Sequence, residues 1–115
     1  MGRWEVMTMV VIRDENKADE NLKAIAKCLL EYEKSHSQAQ IEVYRQNSAS
    51  VRIRIIDPDF GGKSNADRHD YVWDFLAKLT EDQQSDMSML VLLTPDEVSG
   101  SFANLEFEDR TQSVL

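Results

Sequence analysis

Residues 41–55 read IEVYRQNSASVRIRI. Ile41 and Val43 alternate with Glu42 and Tyr44, and Val51, Ile53 and Ile55 alternate with Arg52 and Arg54. A period of two marks a strand, because successive side chains leave opposite faces. Gln46, Asn47, Ser48 and Ala49 supply turn chemistry between the two runs. The stretch therefore predicts a hairpin with one buried face.

Working outward, Ala18, Leu22, Ile25, Ala26, Leu29 and Leu30 recur at helical spacing and predict an amphipathic helix over 16–34. Asp14 or Asn16 can cap its start, and Ser35-His36-Ser37 ends it. Trp4 to Ile12 (WEVMTMVVI) is rich in β-branched residues and predicts a first strand, inner or covered by a helix. Downstream of the hairpin, Asp57-Pro58-Asp59 and Gly61-Gly62 form a loop. Ser64 with Asp67 three residues on is a capping pattern that opens a second helix through Val72, Trp73, Leu76 and Leu79. Thr80 to Gln83 reads as a second capping turn, Met87 to Leu93 (MSMLVLL) as a strand, and Thr94-Pro95-Asp96-Glu97 as a helix start. Phe102 to Asp109 keeps apolar residues at 102, 105 and 107 and can dock, whereas 110–115 reads as a frayed tail.

The order is β-α-β-β-α-β, an α+β two-layer sandwich over residues 1–109 as a single domain. A ferredoxin-like sandwich, serving as an oligomerisation or ligand-sensing domain, is the alternative. The expected core is Ile25, Leu29, Ile41, Val43, Val51, Ile53, Val72, Trp73, Leu76, Val91 and Leu93.

The 115 residues suit one domain, and 42% hydrophobic with 30% charged residues is an ordinary globular balance. The net charge of −8 is lopsided: residues 57–115 hold thirteen Asp/Glu against four Lys/Arg. Counterion release needs a basic surface, so general nucleic-acid binding is disfavoured, with phosphate contacts from Arg45, Arg52 and Arg54 as the one local exception. Base stacking of the RNA-recognition kind is disfavoured too, since the third strand offers Arg52 and Arg54 and no aromatic. The single cysteine, Cys28, excludes an intramolecular disulfide. Neither a signal peptide nor a membrane span is legible, so a cytoplasmic protein is expected.

Candidate chemistry is sparse. Cys28 on the flank of the first helix reads as a packing residue, and His36 as a solvated residue at a helix end. The carboxylates at 81, 82 and 86, at 96 and 97, and at 106, 108 and 109 lack the spacing of a calcium loop and read as a solvated acidic face. Gly61-Gly62-Lys63-Ser64 is reminiscent of an anion nest, but Asp57 stands where a phosphate loop has its first glycine. No catalytic set is legible and no cofactor is expected. One Cys and two His, on three separate elements, are too few to hold zinc or a cluster alone.

From Val51 to Glu97 the chain resembles the BolA family. The residues are the alternating strand, Phe60-Gly61-Gly62-Lys63-Ser64, Arg68-His69-Asp70-Tyr71-Val72, the apolar strand, and Thr94-Pro95-Asp96-Glu97. The resemblance implies an α-β-β-α-β core of the type II KH-like kind, to which the strand at 4–12 is an addition. It also implies a non-enzymatic adaptor that partners monothiol glutaredoxin-like proteins around an iron–sulfur cluster, with His69 facing the cluster, or a regulator touching nucleic acid. The family's second ligand, a His or Cys in the loop between the first two core strands, has no counterpart in Gln46 to Ser50. The binding residues expected are His69, Arg68, Lys63 and Ser64, and the partner expected is a protein or a second copy of the chain.

Overall fold

The computed structural model describes residues 10–12 and 19–108. The expected strand at 4–9, the Asp14 or Asn16 caps, Ala18 and the tail at 110–115 lie outside them. The described elements are β1 (Val10–Ile12), α1 (Glu20–Ser35), β2 (Gln40–Asn47), β3 (Ser50–Ile56), a 3₁₀ turn (Pro58–Phe60), α2 (Asn65–Leu76), α3 (Glu81–Asp86), β4 (Met87–Leu93), a 3₁₀ helix (Pro95–Gly100) and α4 (Phe102–Glu108). The result is a small α+β domain built on a mixed sheet.

The hairpin forms as its alternation requires. Antiparallel pairing runs from Gln40 opposite Ile56 to Asn47 opposite Ser50, with a register shift between Arg45 and Asn47. That shift shortens the turn to Ser48 and Ala49, so Gln46 and Asn47 belong to the strand. The sheet order is β1-β2-β3-β4, with β1 parallel to β2 and β4 parallel to β3. β1 thus joins an edge and is not an inner strand among the described residues. A ferredoxin-like sheet is a split β-α-β arrangement, with a further strand between its parallel partners. Here both parallel pairs are direct neighbours, so that alternative is set aside.

Asp19, and not Asp14 or Asn16, caps α1: its side chain accepts from Leu22 N at 2.9 Å. Leu22, Ile25, Ala26, Leu29 and Tyr32 then face the sheet. Of these, Leu22, Ile25, Leu29 and Tyr32 pack with Ile41 and Val43, with Val51, Ile53 and Ile55, and with Val72, Leu76 and Leu92 in one main core. Each fully buried Leu or Ile there contributes roughly 1.5–3 kcal/mol.

Two expectations fail. Trp73 is 41% exposed. The buried line on α2 is Arg68, Val72 and Leu76, and at about 100° per residue Trp73 sits a quarter-turn off that line. Tyr71 sits a quarter-turn off on the other side and is exposed as well. Phe75, on the line's flank, packs against the core in place of Trp73. Val91 and Leu93, also expected in the main core, pack on the opposite face of the sheet, Val91 buried and Leu93 half-buried.

The second correction is that the hairpin is covered on both faces. Phe107 of α4 is fully buried against Tyr44 and Val91, with its ring centroid 5.1 Å from that of Tyr44. Arg52 donates to Glu106 O at 2.8 Å. Arg54 donates to Asn104 Oδ1 at 2.8 Å and pairs with Glu42 and Glu108. A short helix thus adds a partial third layer, and the arginines that read as a wet face are its anchors. Of the apolar residues that suggested docking, only Phe107 docks; Phe102 and Leu105 are exposed.

Candidate functional site

The four binding residues expected from the sequence go to different tasks. Ser64 caps α2, its hydroxyl accepting from Asp67 N at 3.1 Å. Around it, Gly61 N donates to Pro58 O and Lys63 N to Phe60 O, while Gly62 takes φ +80°, a left-handed value glycine adopts freely. The N–H groups of Gly61 and Lys63 are spent inside the turn, which removes them from any anion nest. Arg68 is buried and reaches three ways: to Lys63 O, to Leu92 O, and through both guanidinium nitrogens to Glu97 at 2.7 and 3.0 Å. This fork holds the Glu97 carboxyl well below its ordinary range, at about 2. It fastens the Thr94-Pro95-Asp96-Glu97 turn to α2.

His69 is half-buried, with Nδ1 3.0 Å from Asn65 O and Nε2 3.2 Å from Leu90 O. Both partners are carbonyl oxygens, which only accept, so both ring nitrogens point into the protein's own backbone. The ring would have to turn before either nitrogen met a metal.

Lys63 leads to a site the sequence did not reveal. Together with Tyr32, His36, Asp59, Phe60 and Tyr71 it lines a cleft of about 310 Å³. His36, expected to be solvated, has an imidazole only 11% exposed. It stacks on Tyr32 at 4.2 Å between centroids. Its Nδ1 lies 2.7 Å from Asp59 Oδ2 and 3.3 Å from Asp57 Oδ2, and its Nε2 lies 2.8 Å from Tyr71 Oη. Asp57 is fully buried and accepts from Tyr32 Oη at 2.6 Å and Asp59 N at 2.9 Å. Burial first, and then the bond to Asp57, push the Tyr32 phenol far above its usual value, so it remains a donor. Two carboxylates from the β3–α2 loop thereby converge on one imidazole at the end of α1. The imidazole is held by carboxylates, yet the hydroxyl it meets is a phenol and not that of a serine, and Cys28 lies elsewhere. Burial raises the Cys28 thiol, which keeps it protonated and suits a packing role.

The arginines weighed as phosphate contacts are engaged internally. Arg45 bridges Asp19 and Asp86, both at 2.8 Å, and Arg52 and Arg54 hold α4. The opposite flank of α2 is open: the exposed Trp73 indole shares a groove of about 710 Å³ with Glu81, Asp82, Gln84 and Ser85 of α3. Among the described residues, no helix is long and apolar enough to cross a membrane.

No protein-family model matches this chain, and neither does a curated protein or a solved structure. The BolA-like motif run therefore stands on its own residues.

Proposed function

We propose that this chain is a non-enzymatic accessory protein, BolA-like in its core, that works by binding a protein partner through a basic segment of that partner. The observation that carries the reading is the Trp73 groove. A tryptophan left 41% exposed in the middle of a helix stands beside Glu81 and Asp82, in the half of the chain where acids outnumber bases thirteen to four. An indole face flanked by carboxylates suits an arginine or lysine side chain, through cation–π attraction and charge complementarity.

The BolA-like part is supported by the α1-β2-β3-α2-β4 order, with the short α3 between α2 and β4, to which β1 adds only at the edge. It is also supported by the Arg68–Glu97 fork, which joins two of the motif's pieces. A glutaredoxin-like redox protein is the partner this resemblance names. In such a complex the contact surface, and not a histidine-held cluster, carries the association. His69 faces carbonyls, and the two-residue turn at Ser48-Ala49 holds no second ligand.

The test is a fluorescence titration of a Trp4→Phe variant, in which Trp73 is the sole indole, with an arginine-rich and a glutamate-rich peptide. The arginine-rich peptide shifts Trp73 emission saturably, and the shift shrinks as salt rises. A glutaredoxin-like protein co-elutes with the wild type and the His69→Ala variant but not with Trp73→Ala. Equal responses to both peptides, or capture that survives loss of Trp73, refute the reading.

A further inference from the structure

The His36 cleft lies on the other flank of α2 from the Trp73 groove and answers to different chemistry. His36 Nδ1 and one carboxylate oxygen each from Asp57 and Asp59 lie within 4.8 Å of one another. A surface ion pair does not account for this grouping. Asp57 is fully buried, and among the described residues His36 alone is in ion-pair contact with it or with Asp59, no lysine or arginine pairing with either. Lys63, the one permanent cation on the cleft, sits 5.9 Å over the Tyr71 ring instead. Two carboxylates thus share one imidazole, and a half-enclosed site is left short of positive charge.

We propose that His36 Nδ1, Asp57 and Asp59 bind a divalent first-row transition ion of the zinc or cobalt kind. Carboxylates complete the shell that the one Cys and two His were expected to leave short: one imidazole and two carboxylates form a borderline donor set, suited to such ions and ill-suited to calcium or magnesium, which take oxygen ligands. Three protein ligands leave room for water or a substrate atom in the cleft.

The surroundings match what a ligating histidine needs. Coordination through Nδ1 requires the ring hydrogen on Nε2, and Tyr71 Oη lies 2.8 Å from that nitrogen, placed to accept it. Tyr32 fixes the site from behind, stacking on the imidazole and donating to Asp57 Oδ2. The ligands also come from rigid neighbours: the end of α1 supplies His36, while Asp57 caps the 3₁₀ turn that carries Asp59. The outward-facing ligand is Asp59, whose side chain is 62% exposed, so the ion enters from solvent past that residue.

The experiment is a calorimetric titration of Zn²⁺ into the chelator-dialysed full chain, with Co²⁺ visible absorption as a second readout. The wild type binds one ion per chain, Co²⁺ develops ligand-field bands, and saturation raises the melting temperature. Asp59→Asn, exposed and expected to fold normally, and His36→Ala each weaken binding by at least tenfold and dim the bands. Tyr71→Phe, which removes only the acceptor on Nε2, weakens it about tenfold, while His69→Ala and Trp73→Ala change nothing. The proposal is overturned by the absence of saturable binding at millimolar Zn²⁺, by affinity unchanged in both Asp59→Asn and His36→Ala, or by preference for calcium or magnesium. None of these outcomes bears on the Trp73 groove, so the two readings fail separately.

Discussion

Replacing Phe107 by alanine removes the one apolar anchor of α4. The ring is fully buried, stands edge-on to Tyr44 at 5.1 Å, and carries the Arg54 guanidinium 4.7 Å above its centroid. Truncating a buried Phe costs about 3–5 kcal/mol when the surroundings hold still. Here they need not: α4 is seven residues long and can undock while the main core stays folded. The loss is therefore capped by the docking free energy of α4. That free energy comprises the ring burial, roughly 1.5–3 kcal/mol, and the net gain of a few hydrogen bonds, about 1 kcal/mol each. Set against the entropy of ordering α4, these terms put the cap near the low end of the range, about 3 kcal/mol. Urea titration reads it as a fall in midpoint, and hydrogen exchange shows α4 amides losing protection first. Phe102→Ala is the control, since Phe102 is 87% exposed and its loss stays within about 0.5 kcal/mol. A loss below about 1 kcal/mol for Phe107→Ala, or equal losses for the two variants, refutes the assignment of α4 as the cover of the second sheet face.

Trp73→Ala costs no more than about 1 kcal/mol in the same titration, because the indole is half-exposed; a loss of several kcal/mol places it in the core after all. Tyr32→Phe withdraws a donor from a buried carboxylate and costs about 1–3 kcal/mol, which thermal or urea melts will show, and a neutral result means Asp57 has other support. The Glu97 carboxyl is held below its ordinary value of 4.5, at about 2, so the stability it contributes is full above pH 4.5 and fades as pH falls toward 2. The advantage of the wild type over Glu97→Gln follows that course across a pH series, and a difference flat across that window contradicts the Arg68 fork. Duplex DNA or RNA binds only weakly near physiological ionic strength, given the net charge of −8 and arginines engaged at Arg45, Arg52 and Arg54; a salt-sensitive submicromolar complex in a mobility-shift assay counts against this.

Features of short sequence range were legible. The hairpin follows from alternation, the bounds of β4 from its mostly apolar run, and the caps at Ser64 and Thr80 from polar residues three positions apart. What escaped depended on distant pairings. Arg52 and Arg54 look like a wet face until α4 arrives from some fifty residues downstream. His36 looks solvated until Asp59 and Tyr71 reach it across 23 and 35 residues. A sharper angular reading of α2 was available, however. Centring its stripe on 68, 72 and 76 turns Trp73 outward, and placing Phe75 on its flank explains which aromatic enters the core. Tyr32, three residues beyond Leu29, likewise continues the buried stripe of α1 and marks the aromatic wall of the His36 cleft.

The contacts that Arg68 and His69 make with β4 have a consequence for how copies of the chain meet. Among the described residues β4 is an outer strand of the sheet. Its Leu93 carbonyl accepts from Asp57 N on the β3 side, so by alternation the Leu90 and Leu92 carbonyls point away from the sheet. Those are the two oxygens that His69 and Arg68 occupy. A strand from another molecule, arriving to extend the sheet, finds both acceptors already in use and a bulky side chain over each. Placed there, the Arg-His pair obstructs edge-to-edge pairing along this strand, the liability of outer strands that many proteins counter with proline or lysine.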